Sequence, residues 1–146
     1  MDVDGVLLPF REQRAGSGWR HVTLHWDFED NGPRLRRLMR HFDLVWCTTH
    51  DANGYVGPAH GIEPRPEIDL STTPCPPGPR ETCWKLPRVV EYVGDSPLAW
   101  VDDDLEDDAF EWARDRGSPT HLAKMEREVG ITSETVSELE DFAARL

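Results

Sequence analysis

Short apolar runs alternate with stretches of helical periodicity along the chain, the pattern of an α/β domain with a parallel sheet. Leu44-Val45-Trp46-Cys47 and Leu98-Ala99-Trp100-Val101 are each consecutively apolar, which suits strands covered on both faces. Residues 31–42 predict the clearest helix: Asn31 as N-cap, Pro33 in the first turn, and Leu35, Leu38, Met39 and Phe42 at i, i+3, i+4, i+7. Arg34, Arg36, Arg37 and Arg40 take the remaining positions and read as a solvated face. A second helix is expected from Thr82 or Trp84 to about Tyr92, with Pro87 tolerated near its first turn. A third, 105–116, puts Leu105, Ala109, Trp112 and Ala113 on one face and stops at Gly117. Residues 119–122 predict a last short strand. Thr132 or Ser133 caps a final helix whose inner face holds Val136, Leu139, Phe142, Ala143 and Leu146. Residues 9–30 read as an extended flap. The Pro- and Gly-rich stretch 53–80 reads as a short helix after Asp51, a minor strand near 62–70 and a loop of restricted flexibility.

Composition narrows this picture. A length of 146 residues fits one domain, 1–146, with a real core. No apolar run approaches the roughly 20 residues a bilayer span needs, and no basic start leads into an apolar segment of secretory type. The three cysteines, Cys47, Cys75 and Cys83, are odd in number and lack a CxxC spacing. Reduced thiols in a cytoplasmic protein without membrane contact are the expectation. Net charge is −12, of which residues 1–90 carry −1 and residues 91–146 carry −11. So acidic a second half repels phosphate backbones, disfavours general nucleic-acid binding and reads as a solvated surface.

Candidate chemistry starts at Asp2-Val3-Asp4-Gly5. An ionised carboxylate attacks phosphorus without a base, and a second one two residues on lies on the same side of an extended chain. Gly5 allows a sharp turn there. Thr48 ends one apolar run with a hydroxyl, Lys85 offers a point charge, and Asp102-Asp103-Asp104 follow the other run. Adjacent aspartates are hard oxygen ligands suited to Mg²⁺, and also suit a helix N-terminus. Strand ends of this kind are where open α/β sheets build sites. His21 and His25 are four apart, but Val22-Thr23-Leu24 between them favours extended chain over a zinc-binding helix. His50 reads as an exposed residue at a strand end. Trp26, Trp46, Trp84, Trp100 and Trp112 read most simply as core or site walls, with stacking on a base or sugar the alternative for Trp19 and Trp26 in the flap. The cysteines have no visible partners for thiol catalysis.

The order Asp2-x-Asp4-Gly5, Thr48, Lys85, Asp102-Asp103 resembles the haloacid dehalogenase (HAD) superfamily of aspartate-nucleophile phosphatases. Val45 to Thr49, Ala52-Asn53, Trp84-Lys85 and Ala99 to Asp103 look like a small capless HAD group that includes domains of RNA-repair (Swiss Army Knife) proteins. The resemblance implies a three-layer Rossmann-like fold, its mainly parallel sheet flanked by helices, without a large cap. It implies Asp2 as nucleophile forming an aspartyl-phosphate, Asp4 as acid and base, and Thr48 and Lys85 as phosphate binders. Mg²⁺ would be held by Asp2, Asp4 (through its carbonyl), Asp102 and Asp103, with Asp104 a further candidate. The implied substrate is an exposed phosphomonoester, such as a polynucleotide end or another large phosphorylated molecule. The alternative is a noncatalytic HAD-like module that binds phosphate or another protein. HAD proteins carry an apolar strand before the first aspartate. Only Met1 stands there in this chain, so the first strand is expected to be truncated, and an apolar extension to add stability.

Overall fold

The computed structural model describes residues 1–14, 20–24, 28–73, 75–76 and 81–146. In chain order the elements are strands β1 (Phe10–Arg14) and β2 (Arg20–Leu24), helix α1 (Phe28–Leu38), a π-helical stretch (Ala52–Val56) running into the short helix α2 (Gly57–Ala59), helix α3 (Leu86–Val93), strand β3 (Leu98–Asp102), helix α4 (Asp107–Asp115), strand β4 (Thr120–Lys124) and helix α5 (Ser133–Ala143). The protein is therefore mixed α/β. No helix among the described residues is long and apolar enough to cross a membrane.

β3 and β4 pair in parallel, Leu98 opposite Thr120 and Asp102 opposite Lys124. On the free side of β3 the first residues are tied in by main-chain bonds. The Asp2 N–H donates to Val101 O at 3.0 Å and the Cys47 N–H to Met1 O at 2.8 Å, while the Met1 amine donates to Val45 O at 2.8 Å. Beyond them the Trp46 N–H donates to Pro66 O at 2.9 Å and the Ile68 N–H to Trp46 O at 2.8 Å. The runs expected as strands at 44–47 and 62–70 are thus extended and buried in part, but they form only the single bridge Trp46–Glu67. The reason is local: Pro64 and Pro66 have no N–H to donate, and residues 1–2 offer too short a partner for a ladder.

Within the expected flap at 9–30, the described strands β1 and β2 are extended and pair antiparallel, Phe10 opposite Leu24 and Arg14 opposite Arg20, whereas residues 28–30 belong to α1 and not to an extended flap. His21 lies on β2; His25, Trp19 and Trp26 lie outside the described residues. α3, α4, β3 and β4 fall where the periodicity puts them. Gly117, just past α4, has φ +73°. Thr132 caps α5, its hydroxyl accepting the Thr135 N–H at 3.2 Å.

Several expectations need correction. α1 begins at Phe28 and ends at Leu38, so Asn31 is inside the helix and not its cap. Its side chain is buried, with Nδ2 donating to Leu7 O at 2.9 Å. That bond fastens α1 to the first turn of the chain, a tertiary role that outweighs capping. Two arginines of the supposed solvated face are structural: Arg37 donates two hydrogen bonds to the Glu140 carboxylate of α5, at 3.2 and 2.6 Å, and Arg36 donates to His60 O at 3.0 Å. Leu146 is exposed, not part of the inner face of α5.

The core has two parts. Val3, Val6, Leu7 and Leu8 pack with Leu35, Leu38, Val136 and Leu139 from α1 and α5. Cys47, Cys83, Trp84, Val89, Trp100 and Leu105 form the second cluster. Between the 44–45 and 98–101 segments, next to Met1, lies an apolar cavity of about 510 Å³ walled by Met1, Leu44, Val45, Leu98, Ala99 and Leu139. Alternate residues of a parallel strand face each neighbour, so Ala99 and Val101 turn their backbone groups toward this groove. The Met1 amine ends there, its pKa lowered by burial despite nearby Cys47, Asp102 and Asp2. Three or four apolar, β-prone residues added before Met1 are expected to raise Tm, since each branched side chain fully buried there contributes about 1.5–3 kcal/mol. A Gly-Ser extension of equal length should not. Equal melting temperatures for the apolar-extended and unextended proteins, read by thermal unfolding, would contradict the groove's role.

Candidate functional site

Asp2 sits beside the carboxyl end of β3 because its N–H is bonded to Val101 O. The chain then turns at once: the N–H groups of Val6, Leu7 and Leu8 all converge on Val3 O at 3.3, 2.9 and 3.0 Å. Gly5 makes the turn with φ +64°, a conformation that costs an L side chain strain. A Cβ on Gly5 would also stand 2.5 Å from Asp103 Cγ. Glycine is therefore required there for both its φ and its lack of a side chain.

Lys85 comes from the turn that opens α3, the segment anchored where the Cys83 N–H donates to Asp108 Oδ1 at 2.9 Å. Its buried ammonium reaches Asp2 Oδ2 at 2.6 Å and Asp102 Oδ2 at 2.8 Å. Asp102, at the end of β3, is wholly buried. Its Oδ2 also accepts the Trp100 Nε1–H at 3.2 Å, and its Oδ1 accepts the Asp104 N–H at 3.0 Å. Asp103 Oδ2 pairs with Arg127 Nε at 2.7 Å, and Asp104 Oδ1 with Arg127 Nη2 at 3.0 Å. Trp84 Nε1 donates to Asp104 Oδ2 at 3.1 Å.

Oxygens of Asp2, Asp102 and Asp103 lie within 4.8 Å of one another, all three residues buried. Lys85 is the one buried side-chain cation beside them among the described residues, and the buried Met1 amine lies near Asp2 and Asp102 as well. Burial, then the neighbouring Asp2, pushes the Asp102 carboxyl up to about 6 against the opposing pull of Lys85. Asp103 is raised by burial and by Asp102, with Arg127 opposing. Burial pulls Lys85 down, yet Asp102 and Asp2 outweigh it and hold its ammonium well above its ordinary range. Both partners of the Lys85–Asp102 pair are thus raised: the ammonium keeps its proton, and the carboxylates crowd one another. Three crowded, buried carboxylates offer hard oxygens that could hold a metal ion.

Four of the residues singled out in the sequence, Asp2, Lys85, Asp102 and Asp103, are brought together. The Asp4 side chain is not in that cluster; it is half-exposed, with Oδ1 2.8 Å from His50 Nε2. Thr48 accepts the His50 N–H on its hydroxyl at 3.3 Å, and it is Thr49 that lines the small cleft with Asp2, Asp4, Lys85, Asp103 and Arg127. Sequence reasoning missed Arg127, the two indole donors and the Asp4–His50 contact. Trp100 and Asp102 share one face of β3 by the two-residue period, a signal that was available; Arg127 had none. The Cys47 and Cys83 thiols are pushed up to about 11 and about 12, chiefly by burial, which disfavours thiolate chemistry.

Comparisons with protein-family models, curated proteins and solved structures find no match. The functional argument therefore rests on this arrangement.

Two outcomes test the geometry. Gly5→Ala is expected to destabilise the protein by about 1–3 kcal/mol from backbone strain alone, with a further loss from displacing Asp103; unchanged urea midpoints would contradict the close approach. Lys85→Met leaves two buried carboxylates without their cation, expected to cost about 3–5 kcal/mol at pH 7. The Asp102 carboxyl lies above its ordinary 3.8 in the folded state, so its favourable contribution is full below that value and fades as pH rises through about 6. Without Lys85 it is raised further, so the variant's deficit should shrink toward about pH 5. A deficit independent of pH would speak against the pairing.

Proposed function

We propose that this protein is a Mg²⁺-dependent phosphatase of the HAD type, acting through an aspartyl-phosphate on Asp2. The observation that carries the reading is the Lys85 ammonium bonded to both Asp2 and Asp102 beside Asp103, at the carboxyl end of a parallel strand. The main-chain bonds support the fold it requires. They line up β4, β3, residues 1–2, residues 45–47 and residues 66–68 side by side, an order that a Rossmann-like parallel sheet with its site at the strand ends would require.

Asp2 supplies the attacking oxygen, and Lys85 its charge toward the phosphoryl oxygens as the bond to phosphorus forms. Mg²⁺, held by Asp2, Asp102 and Asp103 with the Asp4 carbonyl, would neutralise charge on the transferring group. Trp100 and the Asp104 N–H fix Asp102, which in turn fixes Lys85. Asp4 hands a proton to the leaving oxygen and then takes one from the water that hydrolyses the acyl phosphate. The shallow cleft suits a phosphate at the end of a large molecule, a polynucleotide end among them.

Phosphate release from phosphomonoesters is expected in Mg²⁺, to be lost with EDTA, and to fall by at least about 100-fold in Asp2→Asn. Activity untouched by Asp2→Asn would sink the reading. Metal binding requires deprotonated carboxylates, so the Mg²⁺-induced rise in Tm should be larger at pH 7 than at pH 5. A metal shift without turnover on a broad panel of esters would instead favour a noncatalytic phosphate-binding module.

A further inference from the structure

We propose that His50 is a positioning residue for Asp4, holding one carboxyl oxygen so that the other faces the cleft as proton donor. The proposal rests on the phosphatase reading and extends it to a residue that reading does not use.

His50 Nε2 lies 2.8 Å from Asp4 Oδ1 across a separation of 46 residues. No other hydrogen bond to the Asp4 side chain is formed among the described residues, and the carboxyl stands 33% exposed at the cleft. Unlike Asp2 and Asp102, which Lys85 clamps, Asp4 has no buried cation paired with it among the described residues. A side chain in that position is free to change rotamer, and a general acid works only within hydrogen-bond reach of the oxygen it protonates. The imidazole is itself placed by a short turn, in which the His50 N–H donates to Thr48 Oγ1. The same turn therefore sets the Thr48 hydroxyl and the ring that holds Asp4. With Nε2–H donating to Oδ1, the proton of the acid is left to Oδ2.

In the step concerned, an Asp2 oxygen bonds to phosphorus as the bond from phosphorus to the ester oxygen breaks. The departing oxygen takes the Asp4 proton, and the electron pair of that O–H bond stays on the Asp4 carboxylate, where the His50 donor remains bonded to it. Alkyl alkoxides need this proton; p-nitrophenolate departs without it. Loss of His50 must then fall unequally on the two kinds of ester.

The experiment compares kcat/KM, which reads leaving-group expulsion, for glycerol phosphate and p-nitrophenyl phosphate in Mg²⁺. His50→Ala is expected to lower the value for the alkyl ester at least about tenfold more than for the aryl ester. His50→Gln, whose amide N–H reaches similarly, is expected to recover most of the difference and serves also if the alanine variant fails to fold. Equal losses on both esters, no loss on either, or no recovery by glutamine would overturn the positioning role. Turnover of neither ester by the unmodified protein would overturn the phosphatase reading, and the proposal with it.

Discussion

The structure is organised around one buried ammonium. Lys85 reaches Asp2 at 2.6 Å and Asp102 at 2.8 Å, joining the start of the chain, the end of β3 and the turn before α3. Each of these carboxylates would be prohibitively costly to bury alone. Together with the lysine they are tolerable, though still crowded, as the raised Asp102 carboxyl indicates. The neighbouring groups serve the same end: Trp100 and the Asp104 N–H bond Asp102, and Arg127 bridges Asp103 and Asp104 from the exposed side. Breaking such a pair by deleting one partner is far costlier than never building it. A charge cluster kept at this expense suggests use beyond stability.

Backbone geometry matters as much as charge. Gly5 lets the Asp103 side chain come to where a Cβ would stand, so the sharp turn after Asp4 and the approach of the 102–104 segment are one feature. Asn31 ties α1 to that turn through Leu7 O, and the Ile131 N–H bonds Val6 O at 2.8 Å. The first eight residues are thus held from three directions, which compensates for how little regular strand they form. The hydrophobic side chains Val3, Val6, Leu7 and Leu8 supply the burial, while hydrogen bonds set the direction of the acidic ones.

Much of this was legible in the sequence. The helices α3, α4 and α5 follow from their apolar spacing and stop signals, and β3 from its unbroken apolar run. Asp2, Lys85, Asp102 and Asp103 were legible as a set only through the order in which they occur, which resembles the HAD pattern; of the four, Asp102 and Asp103 alone also follow an apolar run that a sheet would align. What was not legible depended on contacts between distant segments. Asn31 has the residue type of a cap, but its partner lies 24 residues away. The arginines of α1 look solvated until Glu140 and His60 O are placed beside them. The run at 44–47 has strand composition, yet its neighbours offer prolines and two residues of chain, too little for a ladder. Arg127 comes from an exposed turn with no periodicity, so only the fold brings it to Asp103.

The central claim is that the Asp2 carboxylate, relieved of Lys85, is the group that takes up phosphorus. A crystal structure with Mg²⁺ and beryllium trifluoride, a mimic of a bound phosphoryl group, tests it most directly. The account predicts beryllium bonded to an Asp2 oxygen, the Lys85 ammonium moved onto a fluoride, and the cation touching Asp103. Beryllium fluoride absent from Asp2, with Lys85 still bridging Asp2 and Asp102 in the presence of both additives, would contradict it.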